Sequence, residues 1–264
     1  MAQALLFPLI QSGLVPEAGV RAAVASEASA QRLVQAHPAL AVSTDAAAAW
    51  SCDVVLLAVK PQQLDAVAAA APQLAAGAQQ PTAGAQQPPL LISVLAGVSV
   101  ERLQRLFPGY RIVRSVPNTP CLVKAGLTAL AWGAGVEPAQ QRWVLELFAQ
   151  VGEVLELPES QLDAFLALTS SGPAFVALVA EAMADGAVAA GLPRLQAQHL
   201  AHRTLAGTAA LLHEQQLHPG QLKDMVSSPG GTTIAGIRAL ERGGLRSALI
   251  EAVLAAAERS RQLA

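Results

Sequence analysis

The run Ser227-Ser228-Pro229-Gly230-Gly231-Thr232-Thr233-Ile234-Ala235-Gly236 is the stretch whose residue types and spacing point most directly to chemistry. Two serines and two threonines flank a Pro-Gly-Gly turn, and the spaced apolar residues Ile234, Ile237, Leu240 and Leu245 then announce a helix. A turn of this kind aims backbone N–H groups into one concavity at a helix start, which suits a carboxylate or a phosphate. The hydroxyls add directional donors and acceptors. An ordinary Ser/Thr helix cap after a tight turn has the same pattern, and the residues alone leave the two readings open. No metal set accompanies the run. The five histidines do not cluster, and Cys52 and Cys121 form no CxxC pair. That argues against zinc and fits a reducing, cytoplasmic setting.

The elements that must position this turn fall into two halves. Apolar runs at 54–59 and 90–94 read as strands buried on both faces of a parallel sheet. Further strands are expected at 20–25, 111–115 and 127–130. Helices are expected between them at 4–10, 29–35 with Ser29 as cap, 64–74, 100–107 and 138–151, with a short Ala-rich helix after Asp45. This is a doubly wound α/β, Rossmann-type pattern. From Pro158 onward the strand signal stops, and helices are expected at 161–169, 173–190, 195–215, 219–225, 234–242 and 245–263. The division is therefore 1–157 for a dinucleotide-binding domain and 158–264 for an all-helical domain. The hexamer Ala-Gly-Ala-Gln-Gln-Pro occurs at 76–81 and again at 83–88, as a solvated loop.

Composition narrows the partners. The 264 residues are 53% hydrophobic and 14% charged, with a net charge of -2. Without a basic patch, nucleic acid is not the expected partner. No apolar run of about 20 residues is free of polar interruption, so no membrane span is expected. The N-terminus lacks the basic region of a signal peptide. Alanine and leucine on several faces of the later helices predict a buried interface between copies, as a homodimer or larger ring.

A doubly wound nucleotide-binding sheet opens with a strand and G-x-G-x-x-G. This sequence opens in the helix that should follow. The expectation is a domain lacking its first strand and Gly-rich loop, with weakened NAD(P)H binding.

The chain resembles the pyrroline-5-carboxylate reductase family over 1–263. The motifs that carry the likeness are Ala58-Val59-Lys60-Pro61-Gln62, Ala96-Gly97-Val98, Val116-Pro117-Asn118-Thr119-Pro120, Ser171-Gly172-Pro173-Ala174, His218-Pro219-Gly220-Gln221-Leu222-Lys223-Asp224 and the turn from Ser228 to Thr233. The resemblance implies reduction of 1-pyrroline-5-carboxylate, a small-molecule substrate, to L-proline by NADPH or NADH. It implies that the Thr233 hydroxyl contacts the ring nitrogen as the catalytic group. Ser228 and the N–H groups of Gly231 and Thr232 would hold the substrate carboxylate, with Glu159 on the substrate side. For the cofactor it implies Val59, Lys60 and Pro61, Ala96 and Gly97 beside the backbone, Asn118 at the nicotinamide and Asp45 near the adenosine half. Glu27 occupies the place of an acid that binds the ribose 2′-OH, and Ala28 replaces the arginine often found there. That pair favours NAD, while Ser26 and Ser29 remain able to bond a 2′-phosphate. Two other classes stay in view: an impaired homologue acting as an oligomer partner, and a related small-acid dehydrogenase. The second predicts a catalytic lysine on the helix 173–190, and none is present.

Overall fold

The computed structural model describes residues 1–72 and 88–262. The chain divides into two compact units, one of Met1–Ser170 joined by residues from Ala256 on, the other of Ser171–Ala255. The first unit alternates helix and strand through α1 (Ala2–Gln11), β1 (Arg21–Ala23), α2 (Glu27–Ala36), β2 (Ala41–Ser43), α3 (Ala47–Trp50) and β3 (Val54–Leu57). It continues with α4 (Leu64–Ala70), β4 (Leu90–Ser93), α5 (Val100–Leu106), β5 (Arg111–Pro117), β6 (Gly126–Trp132), α6 (Pro138–Ala149), β7 (Gly152–Glu156) and α7 (Leu162–Thr169).

β1 and β2 pair in parallel, and a second sheet has the order β3-β4-β5-β6-β7. Among the described residues no strand joins β1 to β3, so the sheet is parted where the doubly wound pattern puts its first strand. β3, β4 and β5 are parallel, whereas β6 runs antiparallel to β5. The connection from Pro117 to Gly126 holds only a 3-10 turn, Thr119–Val123. A parallel crossover needs about a dozen residues or more, so the chain must reverse.

Both faces of the larger sheet are covered, and β4 shows it in its alternation. Leu91 packs with Val55, Leu57, Leu64, Leu103 and Phe107 on one face. Leu90 and Ile92 pack with Leu5, Leu9, Val144 and Phe148 on the other. The four residues of β4 are all buried, which is why it reads as an unbroken apolar run. Leu5 and Leu9, one helical turn apart, are the anchor of α1. Burying each such leucine contributes roughly 1.5–3 kcal/mol. At the start of the β6–β7 pairing Gly126 faces Gly152, and the strands approach so closely that a β-carbon on Gly152 would overlap the Gly126 backbone.

Several expectations are corrected. Ser26, not Ser29, caps α2: Ser26 is extended and its Oγ accepts the Ser29 N–H at 3.3 Å, which puts Ser29 inside the first turn. The helix expected at 64–74 ends at Ala70, because Ala71 precedes Pro72 and is extended; Leu74 and the first copy of the hexamer lie outside the described residues, as does all of the second copy but Pro88. β2 and β7 were not foreseen. Leu162, Phe165 and Leu166 of α7 pack against Val116, Ala129 and Ala131 of the α/β unit.

The second unit holds α8 (Gly172–Ala189), α9 (Arg194–Glu214), α10 (Pro219–Met225), α11 (Thr232–Arg242) and the first part of α12 (Leu245–Gln262). Its fully buried side chains among the described residues are Ala180, Ala184, Ala197 and Ala201, at the α8–α9 contact. Large apolar side chains lie outside instead: Leu178 is 66% exposed and Leu195 82%. A groove of about 770 Å³ runs along α8 and α9, lined by Val176, Ala180, Ala184, Leu205 and Ala209 among others. The segment Glu159–Ala189 is long and apolar enough to cross a membrane by length and composition alone, although it is two helices with a break at Ser170 and Ser171.

Candidate active site

The expected cofactor residues fall on the turns that follow strand ends. Ser26 and Glu27 follow β1, Asp45 follows β2, Val59-Lys60-Pro61 follows β3, Ala96 and Gly97 follow β4, and Asn118 follows β5. The carboxyl edge of a parallel sheet is where open α/β folds bind ligands. Gly97 is buried at φ +74°, a conformation that glycine adopts without strain. Lys60 is exposed, and its N–H donates to Gln63 Oε1 at 3.4 Å. Asp45 Oδ1 accepts the Ala47 N–H at 3.0 Å, a side-chain turn that leads into α3, whose N-cap is Ala46. Glu27 Oε1 accepts from Thr44 Oγ1 at 3.0 Å.

Asn118 is engaged within the protein through its side-chain amide. Its side chain is 4% exposed; Nδ2 donates to the Thr169 carbonyl at 3.0 Å and Oδ1 accepts the Leu127 N–H at 2.9 Å. The Ser170 hydroxyl adds a bond to the Pro117 carbonyl at 3.2 Å. The amide is a brace between the end of β5, the start of β6 and the end of α7.

Glu159 sits in a partly buried ionic cluster around a buried arginine. Its Oε1 accepts both Arg114 Nη1 at 2.8 Å and the Val100 N–H, at the start of α5, at 2.7 Å. Arg114 Nη2 lies 3.7 Å from Asp163 Oδ1, which accepts the Ser260 hydroxyl at 2.7 Å. Arg114 itself is 4% exposed. A buried guanidinium requires such partners. Neither Arg114 nor Asp163 carries a sequence signal for this role; only an arginine in the middle of a strand hints at it.

In the helical unit the hydroxyl-rich turn takes definite form. Gly230 has φ +66° and the Gly231 N–H donates to the Ser228 carbonyl at 3.0 Å. Pro229 and Gly230 thus occupy the two central positions of a turn that demands them. Gly231 is the N-cap of α11, with Thr232 and Thr233 as its first two helical residues. The Gly231 N–H, expected among the carboxylate donors, is therefore already used in closing the turn. The N–H groups of Thr232, Thr233 and Ile234 lie in the first turn of α11 and have no internal helical acceptors. Among the described residues no hydrogen bond engages the hydroxyls of Ser228, Thr232 or Thr233, so none of them serves as a cap. No group of three or more His, Cys, Asp or Glu is placed to hold a metal among the described residues. Buried near Asn118, the Cys121 thiol is pushed above its ordinary range by desolvation.

A largely parallel α/β sheet with ligand-ready turns after its strand ends, followed by a helical unit with a hydroxyl-rich helix start, defines the class of nucleotide-dependent oxidoreductases. Residues 1–97 match the family model described as NADP oxidoreductase coenzyme F420-dependent, and residues 159–263 match that described as pyrroline-5-carboxylate reductase dimerisation. The pyrroline-5-carboxylate reductase of Synechocystis sp. is 51% identical over 80% of this chain and 75% of its own length. That of Methanosarcina acetivorans is 39% identical over 100% of this chain and 94% of its own. Among solved structures, a pyrroline carboxylate reductase from Plasmodium falciparum with NADP bound superposes with a TM-score of 0.85 at 25% identity, over 99% of this chain and 93% of its own. A pyrroline-5-carboxylate reductase from Coxiella burnetii gives 0.82 at 31%, over 100% and 94%. The chain belongs to the pyrroline-5-carboxylate reductase family. It is an NAD(P)-dependent oxidoreductase, and its dimerisation domain supports homo-oligomerisation.

Proposed function

We propose that the chain reduces 1-pyrroline-5-carboxylate to L-proline with NADPH or NADH, in the cytoplasm, as a homodimer or a larger ring. The observation that carries this reading is the start of α11, where three unengaged hydroxyls adjoin three N–H groups without helical acceptors. A small cyclic acid offers a carboxylate for the N–H groups and a ring nitrogen for a hydroxyl.

The reduced nicotinamide supplies a hydride to the carbon of the C=N bond. The chain supplies orientation, which is where catalysis of such a step resides. The N–H groups of Thr232 and Ile234 with the Ser228 hydroxyl hold the carboxylate. Hydride adds to the protonated imine, whose nitrogen keeps its proton in the product and is fixed by the Thr233 hydroxyl. In the α/β unit the backbone at Ala96 and Gly97 permits close approach of the dinucleotide, and Val59, Lys60 and Pro61 border it. Asn118 contributes as the brace that shapes the end of β5, Asp45 through the turn before α3 on the adenosine side, and Glu159 through its remaining oxygen, Oε2, on the substrate side.

The match of residues 159–263 to a dimerisation family model favours a second reading, a homologue that serves as an oligomer partner. One assay separates the two. Purified chain is mixed with pyrroline-5-carboxylate and NADPH or NADH, and cofactor oxidation is compared with proline formed. Equal amounts of both support the reductase. Absence of substrate-dependent oxidation by a folded oligomer rejects it in favour of the second reading.

A further inference from the structure

We infer that Arg32 makes this chain prefer a 2′-phosphorylated dinucleotide, NADP(H), over NAD(H). The inference rests on the dinucleotide reading above and goes past it to the choice between two cofactors. Glu27 with Ala28 beside it reads in the sequence as a preference for NAD. The side chains are arranged otherwise. Thr44 Oγ1 donates to Glu27 Oε1 at 3.0 Å, which engages that carboxylate with the segment after β2. Arg32 lies one turn further along α2 and reaches back, its Nη2 donating to Ser29 Oγ at 3.2 Å. Ser26 Oγ donates to the same Ser29 oxygen at 3.1 Å.

A guanidinium and two hydroxyls thus form one continuous polar cluster just past β1. Ser29 accepts twice, so its own O–H is left to donate. Arg32 uses one of its five N–H donors on Ser29, and no carboxylate among the described residues lies within ion-pair distance of it. The cation that Ala28 does not provide is supplied by a residue four positions later. A phosphate monoester is a dianion with three acceptor oxygens, which a planar guanidinium with neighbouring hydroxyls fits. A ribose hydroxyl is neutral and gains little from the same cation. The 2′-substituent is the sole difference between the two cofactors, so this cluster is where they part.

Calorimetric titration of the full chain with adenosine 2′,5′-bisphosphate and with adenosine 5′-monophosphate tests this without turnover. The bisphosphate is expected to bind at least tenfold more tightly to the native protein. Arg32→Gln should remove about tenfold or more of that advantage, the scale of one hydrogen bond to a charged group, while monophosphate affinity stays the same. Arg32→Lys should retain part of it. Because Arg32 is exposed, the fold survives these changes, and circular dichroism verifies that. An unchanged bisphosphate affinity in Arg32→Gln, or an equal loss for both nucleotides, overturns the assignment. A native, folded protein that binds neither nucleotide overturns the dinucleotide reading itself, and the role of Arg32 falls with it.

Discussion

Asn118 and Thr169, 51 positions apart in the chain, are joined by a buried hydrogen bond of 3.0 Å from side-chain amide to backbone carbonyl. With the Leu127 N–H on its other side, the amide ties three elements together at the ligand-binding edge of the sheet. Asn118→Ala leaves the Thr169 carbonyl and the Leu127 N–H without these partners, at a cost of about 1–3 kcal/mol for each group left unsatisfied. Urea unfolding should show the loss as a lower midpoint. Nucleotide affinity of the folded fraction should be nearly unaltered; a large loss of affinity at unchanged stability would instead mark a direct nicotinamide contact.

Thr233→Val separates catalysis from capping. Gly231 is the N-cap, so removing the hydroxyl should change stability by no more than about 0.5 kcal/mol, as for ordinary surface changes. The turnover number should fall by about tenfold or more, the value of one lost hydrogen bond to a charged group, with dinucleotide affinity constant. Unaltered turnover in steady-state kinetics counts against Thr233 as the group that orients the imine.

Arg114→Met strips Glu159 and Asp163 of their shared cation. The two carboxylates left behind are partly exposed, so the loss should fall below the about 3–5 kcal/mol of a fully buried pair. Adding Glu159→Gln to that variant should recover part of the loss, because one uncompensated charge disappears. Denaturation of the two variants side by side reads both effects.

The two thiols should differ sharply in reactivity. Cys121 is fully buried and burial pushes its thiol upward, so little thiolate forms near neutral pH. Cys52 is partly exposed. A chromogenic disulfide reagent should label one thiol per native chain, at Cys52, and the second only after unfolding. Mass spectrometry of the labelled peptides assigns them.

Melting should depend on protein concentration. The helical unit buries four alanines and leaves Leu178, Leu195 and other large apolar side chains outside. Such a unit gains its stability from association, and mass action then raises the Tm with concentration. A Tm that is constant across a hundredfold dilution series, together with a monomeric mass by light scattering, contradicts this.

What the sequence revealed was governed by burial. β3 and most of β4 are apolar because both faces are covered, and they stand out as runs, whereas β5 carries Arg111, Arg114 and Ser115. β2 is three residues with exposed outer positions, and β7 begins at a glycine and has glutamates at Glu153 and Glu156. Neither offers a period to read. The antiparallel turn into β6 follows from connection length, which the expected βαβα rhythm masked. In the site, the hydroxyl-rich turn was legible because Pro-Gly-Gly demands its backbone. The placement of Asn118 and Glu159 was not, since it depends on distant partners: Thr169, 51 residues from Asn118, and Arg114 and Val100, 45 and 59 residues from Glu159. The cap of α2 was misplaced by one turn because Ser26 and Ser29 are chemically equivalent, and only the extended backbone at Ser26 distinguishes them.

The facing glycines of β6 and β7 have a consequence for how substitutions combine. A β-carbon at Gly152 meets the main chain of Gly126, and one at Gly126 meets the Cys121 sulfur and the Val151 carbonyl. Each obstacle to a larger residue includes backbone that no exchange at the other position can remove. In a library randomised at both sites, the two will not compensate for one another: glycine will be selected independently at 126 and at 152. The pair will show two fixed columns with no covariation between them, although the residues touch.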